Sequence, residues 1–302
     1  MGSGKAVELP AIPEEVIAWF CARFEEANRS VTENLINNPN TRETTLDDAL
    51  LAPLQKQQAP VAFPSGVVVQ MSVHNIGGLR RLYRWEVADI GVLVTVFQGH
   101  ALRGQKIGVL QAKRLYPRNN EVLDDEQEDY KYGLNAFLVP DPASALAKMS
   151  MTFEFDEACR YGALPSGDVQ VQTIETFVRE FGAAVSYLFY NPADVPDTMH
   201  FPSTAYRTLV NPPPLGARVV DAKEVHAVLA GLEKGQTPTL KDIQHSTHQY
   251  RRLEEWAEEL LRCRVGVPID RSINRMVEQL LVRRSGPIGA VIAFSVALPG
   301  KD

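Results

Sequence analysis

The sequence lacks any long hydrophobic run. No stretch of about 18 apolar residues occurs in it, so neither a membrane span nor a membrane partner is predicted. The segment from Met1 to Pro10 carries one lysine and no apolar core, unlike a secretory signal peptide. Cysteine is scarce as well, and Cys21, Cys159 and Cys263 are an odd number at wide spacings. We therefore expect reduced thiols and a cytoplasmic protein.

An excess of positive charge is also missing. The 302 residues include 31 Lys and Arg against 37 Asp and Glu, a formal net charge of −6. This balance excludes a bulk polycation, so any nucleic-acid contact needs a local basic patch. Apolar residues make up 45% and charged residues 23%, values typical of a folded globular chain. The length favours about one to two domains.

Hydrophobic periodicity predicts alternating helices and strands in the first two thirds of the chain. The residues Asn40 to Glu43 have the capping-box pattern that begins a helix. Gln98-Gly99-His100 and Gly104 separate two apolar runs, which predicts a hairpin. The predicted elements are helices over 11–28, 40–54 and 171–181, and strands over 66–74, 89–97, 107–113 and 185–190. The last helix leads directly into an apolar strand, as in a βαβ crossover.

The remaining segments read as insertions and as a C-terminal region. Residues 114–169 form a long insertion that contains an acidic run, Glu121–Asp129, and a helix over about 141–149. The Pro-rich stretch Asn191–Leu215 is interpreted as a linker or a long surface excursion. Further helices are predicted over 221–234, 239–263 and 271–284, followed by a final strand over 288–298. We expect two parts, a core over 1–214 and a mainly helical accessory region over 215–302.

Polar side chains gather at one end of the predicted hairpin. A turn centred near residues 101–102 places Asp89 opposite residues 113–115, and Gln111 and Lys113 share one face of their strand. Both strands are otherwise apolar. Because burying polar groups costs free energy, a cluster of them at this position indicates a functional role. Asp89, the side-chain oxygen of Gln111 and the carbonyl of Ala112 are oxygen ligands of the kind Mg²⁺ prefers. Lys113 can orient the attacking water, which predicts metal-dependent phosphodiester hydrolysis.

This pattern of Asp, hairpin and Gln-x-Lys resembles the PD-(D/E)XK nuclease superfamily in its Gln-x-Lys variant, to which Mrr-like restriction endonucleases belong. The order of predicted elements over residues 40–192 is similar to the αβββαβ core of that family. The strings Gln111-Ala112-Lys113-Arg114-Leu115 and Phe189-Tyr190-Asn191-Pro192 also resemble an uncharacterised bacterial group of such nucleases. Two features depart from the pattern: Gln111 stands where a glutamate is usual, and no proline precedes Asp89.

The resemblance implies a fold, an activity and partners. The fold class is α/β, a restriction-endonuclease-like αβββαβ core with a mixed sheet and a mainly helical C-terminal extension. The activity is that of an endonuclease that cleaves DNA with Mg²⁺ or Mn²⁺, in defence against foreign DNA, and RNA stays open as a substrate. Such nucleases commonly act as dimers, so we expect a homodimer or a partner protein bound through 215–302.

The resemblance also assigns roles to residues. The catalytic set is Asp89, Gln111, Lys113 and Glu43, of which Lys113 orients the attacking water. The metal ligands are Asp89, Gln111, Ala112 and Glu43. Glu43 is the auxiliary acid on the first helix of the core, and two alternatives for that acid stay open, namely Glu33 and Glu86.

Local charge agrees with a phosphate-backbone ligand. Between residues 80 and 118 the chain has eight basic residues and two acidic ones, Glu86 and Asp89, a local charge of +6. A basic rim around one acidic site is the footprint expected for nucleic acid. The candidate contacts are Arg80, Arg81, Arg84, Arg114 and Arg118.

Structural alternatives stand beside these roles. Glu43 fits a helix capping box, and Asp89 and Lys113 also suit ordinary positions at strand ends. His245 and His248 with Cys263 do not form a zinc pattern, because no second ligand pair has the right spacing. One alternative function is a catalytically inactive module that binds nucleic acid or another protein, since Gln111 removes a negative charge. Another is an unrelated α/β protein in which the three polar side chains do not converge.

Overall fold

The chain folds as an α/β protein built on a mixed sheet. The computed structural model describes residues 9–76, 88–118, 151–181, 184–201, 206–209, 215–269 and 288–300. Within these residues the helices are α1 (Glu14–Asn37), α2 (Glu43–Gln55), α3 (Val169–Phe181), α4 (Ala222–Ala230), α5 (Leu240–Ser246) and α6 (Leu253–Leu261). The strands are β1 (Val61–Ala62), β2 (Val68–Asn75), β3 (Ala88–Gln98), β4 (Ala101–Arg114), β5 (Met151–Phe155), β6 (Val185–Tyr190), β7 (Asp197–Phe201), β8 (Arg218–Asp221), β9 (Arg251–Arg252), β10 (Val267–Pro268) and β11 (Ile288–Leu298).

Within the described ranges the central sheet has nine strands in the order β1-β2-β11-β3-β4-β6-β8-β9, and β10 pairs with β4 beside this path. The hairpin β3–β4 and the pair β2–β11 are antiparallel, whereas β3–β11 and β4–β6 are parallel. The sheet is therefore mixed. The strands β5 and β7 form a separate two-stranded antiparallel sheet.

Both faces of the central strands are covered, which explains their nearly continuous apolar sequences. Alternate residues of β6 fall in different apolar clusters: Leu188 and Tyr190 pack with α1, α2 and α6, whereas Tyr187 and Phe189 pack with α3, α4 and α5. Successive side chains of a strand point to opposite faces, so the two helical layers lie on opposite sides of the sheet. Among the helices of the described ranges, none combines the length and apolar content needed to cross a bilayer.

The hairpin has a tighter turn than the sequence predicts. Its two turn residues are Gly99 and His100, with Gln98 paired to Ala101, and Gly99 takes the left-handed φ of 58° that suits glycine. The turn is thus centred before residues 101–102, and a bulge follows at residues 96 and 97. Ile90 pairs with Leu110, so the register places Asp89 level with residue 111. The expected position opposite residues 113–115 is wrong by two to four residues.

Three helix predictions also need correction. Helix α1 begins at Glu14, after Pro13 and not at the predicted residue 11, and it continues to Asn37, well beyond the predicted end at residue 28. Helix α2 begins at Glu43, and its N-cap residue Arg42 makes no capping hydrogen bond through its side chain. The predicted capping box is therefore wrong, because the Glu43 carboxylate is used elsewhere. The single helix predicted over 239–263 is two helices, α5 and α6, with β9 between them.

The C-terminal region is not a separate layer. Strands β8 to β11 all belong to the central sheet, and β11 lies between β2 and β3. Strand pairing therefore crosses the boundary predicted at residue 215, because the apolar β11 needs partners on both edges and cover on both faces. The predicted acidic loop over 121–129 and the predicted helices over 141–149 and 271–284 lie outside the described residues.

Candidate functional site

Asp89 is the centre of a buried polar cluster. It lies near the start of β3 and is only 7% exposed. Its Oδ2 accepts a hydrogen bond of 2.5 Å from Nε2 of Gln111 and one of 2.7 Å from the backbone N–H of Ala112. Both donors belong to β4, so the hairpin register itself brings them to the carboxylate. The structure thus places Asp89, Gln111 and Ala112 together.

Helix α2 contributes a second carboxylate to the same place. Oε1 of Glu43 lies 3.3 Å from Nζ of Lys113, and Oε2 accepts a hydrogen bond of 3.1 Å from the backbone N–H of Arg114. Glu43 is the first residue of α2, where its negative charge interacts favourably with the positive end of the helix dipole. The four sequence-predicted residues of the catalytic set therefore meet at one end of β4.

Asp47 and Tyr190 join this cluster and were missed in the sequence. Asp47 lies one helical turn after Glu43 on α2 and is 8% exposed. Its Oδ1 accepts a hydrogen bond of 2.7 Å from the hydroxyl of Tyr190, which is 1% exposed on β6. The spacing Glu43-x-x-x-Asp47 is the available signal, because residues four apart lie on the same side of a helix. Tyr190 carried no such signal, since an apolar strand accounts for it equally well.

Burial and mutual repulsion dominate the electrostatics. Burial raises the pKa of Glu43 above its ordinary value, with Asp89 adding to the rise and Lys113 opposing it. Burial and the charge of Asp89 raise the pKa of Asp47 further, against the hydrogen bond from Tyr190. Burial by itself lowers the pKa of Lys113, but the carboxylates of Glu43, Asp89 and Asp47 outweigh it and raise the net value. Three carboxylates thus compete for one ammonium group.

An oxygen atom of Gln111 suggests what could relieve this excess of negative charge. Gln111 is 1% exposed, and its Oε1 is buried without a hydrogen-bond partner among the described residues. A buried amide oxygen without a partner costs about 1–3 kcal/mol. Within the same residues no group of three or more His, Cys, Asp and Glu side chains is arranged to hold a metal ion. Amide and backbone carbonyl oxygens, which Mg²⁺ also binds, are not among those side chains. Because Mg²⁺ keeps several water ligands, the carboxylates, the Gln111 amide oxygen and the Ala112 carbonyl fit a partly hydrated cation.

Lys113 and Arg114 are more deeply buried than predicted. Each is only 2% exposed, so Lys113 is not a solvated residue at a strand end. The guanidinium of Arg114 donates to the backbone carbonyls of Pro39, at 2.7 Å, and of Thr41, and it stacks over Tyr116 at 4.5 Å. The expected phosphate contact of Arg114 is therefore corrected to a structural role, because its donors are used inside the protein.

Of the other predicted residues, Arg118 and Glu33 lie within the described ranges and the rest lie outside them. Arg118 is exposed over 63% of its side chain and pairs with Asp156 at 3.0 Å, so it keeps an outward position beyond the end of β4. Glu33 accepts a hydrogen bond from the backbone N–H of Leu209. Its competitor Glu86 and the basic residues Arg80, Arg81 and Arg84 lie outside the described residues. Of the candidate auxiliary acids, Glu43 is the one seen beside Lys113.

Comparison with known proteins adds no relative. No family model, no curated protein and no solved structure matches this chain. The functional argument therefore depends on the polar cluster itself and on the order of the elements that build it.

Proposed function

We propose that this protein is a metal-dependent nuclease that hydrolyses phosphodiester bonds of DNA with Mg²⁺ or Mn²⁺. The observation that carries the proposal is the buried cluster of Glu43, Asp89, Gln111 and Lys113 at one end of the hairpin β3–β4. Buried polar groups of this density cost folding free energy, which favours a chemical rather than a structural role. The unpartnered oxygen of Gln111 adds a ligand atom to the carboxylates.

The order of elements supports a restriction-endonuclease-like core within the proposal. Helix α2, strands β2, β3 and β4, helix α3 and strand β6 follow one another as in the αβββαβ pattern, if the short β1 and β5 are set aside. The pairing of β4 with β6 is parallel, as a crossover through α3 requires. The departure is β11, which separates β2 from β3.

The roles of the acidic and amide groups follow from their positions. Asp89, Gln111, Glu43 and the carbonyl of Ala112 would hold the cation. Two hydrogen bonds from β4 fix the orientation of Asp89, so its carboxylate is preorganised. When bound, the divalent cation supplies Lewis-acid stabilisation of the phosphate and makes a water molecule more acidic.

Lys113 acts as a positive hydrogen-bond donor in this proposal. Although burial lowers its pKa, the neighbouring carboxylates raise the net value above the ordinary range, so the ammonium group keeps its proton at neutral pH. It therefore cannot serve as a general base at that pH. It can orient the attacking water and offset the negative charge that develops on the phosphate in the transition state.

Cleavage assays test the proposal. Supercoiled plasmid, single-stranded DNA and single-stranded RNA are incubated with the protein in Mg²⁺, in Mn²⁺ and in chelator. We expect cation-dependent cleavage by the wild type and a fall in kcat of about 100-fold or more for Lys113→Met, which keeps the side-chain volume and removes the charge. Lys106 is the matched control, because it is a buried lysine of the same strand outside the cluster.

The outcomes separate the activity from the fold. Lys106→Met should cleave like the wild type once circular dichroism shows that both variants are folded. Wild-type cleavage by a folded Lys113→Met variant overturns the assignment of Lys113. Binding of DNA and of the cation by the wild type without cleavage in any condition would instead favour the inactive binding module.

A further inference from the structure

The cluster contains one buried carboxylate more than Asp89, Gln-x-Lys and the auxiliary acid Glu43 account for. Asp47 is 8% exposed, and its partner in the described hydrogen bonds is the neutral hydroxyl of Tyr190 at 2.7 Å. A neutral donor lowers the cost of burying a carboxylate but does not balance its charge. Asp47 also interacts electrostatically with Asp89, Glu43 and Lys113. Its charge therefore belongs to the same local balance as theirs.

Charge counting shows what this balance lacks. Asp47, Asp89 and Glu43 carry three negative charges when ionised, and Lys113 carries one positive charge. The guanidinium of Arg114 also interacts with Glu43, although its N–H groups donate to the carbonyls of Pro39 and Thr41. The acidic groups still outnumber the basic ones, and a bound cation would offset that excess. Gln111 is neutral, so it supplies an oxygen without the charge that a glutamate would bring at that position. With Asp47 absent, the acidic excess would be one charge smaller.

We propose that Asp47 is a further acidic residue of the cation site, which supplies from α2 the negative charge that Gln111 lacks on β4, and that Tyr190 is its positioning residue. This inference rests on the proposed function, because it deepens the same site. Asp47 acts through its negative charge and through a bound water, because the three carboxylates are not arranged to ligate one ion directly. The second observation that points to a ligand is Oε1 of Gln111, which is buried and without a partner in the described chain.

The test measures binding of a cation alone, without nucleic acid. The full-length protein is titrated with Mn²⁺, free Mn²⁺ is followed by electron paramagnetic resonance, and Mg²⁺ is added as a competitor. Asp47→Asn keeps the shape and the hydrogen bond to Tyr190 but removes the charge, and we expect it to weaken Mn²⁺ binding by about tenfold or more. The matched control is Asp48→Asn, because Asp48 is the exposed neighbour on the same helix.

A double variant that moves the carboxylate from position 47 to position 111 makes the test specific. In the double variant Asp47→Asn with Gln111→Glu, the negative charge moves from α2 to β4, and affinity should return to within about threefold of the wild type. Tyr190→Phe leaves the charge of Asp47 in place, so its loss should be smaller than that of Asp47→Asn. The control Asp48→Asn should bind like the wild type.

Failure of this inference differs from failure of the proposed function. If Asp89→Asn loses Mn²⁺ binding while Asp47→Asn retains it, or if Gln111→Glu does not restore what Asp47→Asn loses, the role of Asp47 is overturned and the cation site stands. If Mn²⁺ binding follows the expected pattern but no substrate is cleaved, the role of Asp47 stands and catalysis does not. A wild type that binds no Mn²⁺ at millimolar concentration overturns both.

Discussion

The side chain of Gln111 donates a hydrogen bond of 2.5 Å to Asp89 while its own oxygen has no partner in the described chain. Gln111→Glu would replace that donor with a second carboxylate against Asp89. We expect the variant to be less stable than the wild type without a cation and to bind Mg²⁺ more tightly. The electrostatic gain should be about 1–4 kcal/mol, because Coulomb attraction at 4 Å is about 1 kcal/mol in water and about 4 kcal/mol at the effective dielectric constant that suits protein sites, buried ones included.

Calorimetric titration of Mg²⁺ into both proteins, without nucleic acid, measures the change. Thermal unfolding in chelator supplies the control for apo stability, and added Mg²⁺ should raise the Tm of Gln111→Glu more than that of the wild type. Equal Mg²⁺ affinity for the two proteins would remove Gln111 from the cation's ligands. Cleavage by this variant is free to rise or fall, since tighter ground-state binding does not guarantee tighter transition-state binding.

The raised pKa values of Glu43 and Asp47 make the apo protein less stable at higher pH. Burial raises both above their ordinary values of 4.5 and 3.8, so the folded state binds protons more tightly than the unfolded state. Their contribution is complete below the ordinary values and is lost as the pH rises through the folded-state values. Lys113, whose pKa is raised above 10.5, loses its contribution only at much higher pH.

The test compares unfolding by urea in chelator at pH 5 and pH 8 for the wild type and for Asp47→Asn. Because Asn carries no charge, the gain in stability of Asp47→Asn over the wild type should be larger at pH 8 than at pH 5. Each unit by which the folded-state pKa of Asp47 lies above 5, up to pH 8, corresponds to about 1.4 kcal/mol of that change. A gain that is independent of pH would show that Asp47 is already ionised in the folded protein at both values.

Elements whose sequence pattern is local were predictable. Strand β6 and strand β11 have the predicted bounds, 185–190 and 288–298, because each is a buried apolar run that polar or turn residues delimit. The position of β11 in the sheet was not predictable, since nothing local in an apolar strand specifies its neighbours. The same limit explains the predicted boundary at residue 215, which followed composition rather than strand pairing.

The same distinction between local and long-range contacts applies to the candidate site. The proximity of Asp89, Gln111 and Lys113 was predictable, because the pairing of two strands of one hairpin brings their residues together. Asp47 and Tyr190 meet across residues far apart in sequence, and only the packing of α2 against β6 reveals their contact. Arg114 was misassigned because charge in a sequence does not show whether a guanidinium faces solvent or backbone carbonyls.

Arg114 should therefore matter for stability and not for direct contact with nucleic acid. Its guanidinium donates hydrogen bonds to the backbone carbonyls of Pro39 and Thr41. Arg114→Ala removes both of these hydrogen bonds. We expect a loss of about 2–4 kcal/mol in the free energy of unfolding by urea, since each unsatisfied buried group costs about 1–3 kcal/mol. The exposed Arg118 is the control, and Arg118→Ala should change stability by less than about 0.5 kcal/mol. A stable Arg114→Ala variant with weakened DNA binding would restore the phosphate-contact interpretation.

The central position of β11 makes Phe294 a core residue of the whole protein. Phe294 is fully buried, and its ring lies 4.5 Å from that of Phe20 and 6.1 Å from that of Trp19, both on α1. Phe294→Ala should lower the free energy of unfolding by about 3–5 kcal/mol, because it removes apolar contacts and leaves a cavity. Leu298→Ala, at the half-buried end of the same strand, should cost clearly less. Urea unfolding followed by far-ultraviolet circular dichroism measures both. If Phe294→Ala left most of the helical and sheet signal unfolding at the wild-type urea concentration, residues 215–302 would fold apart from the core, in agreement with the predicted boundary at residue 215.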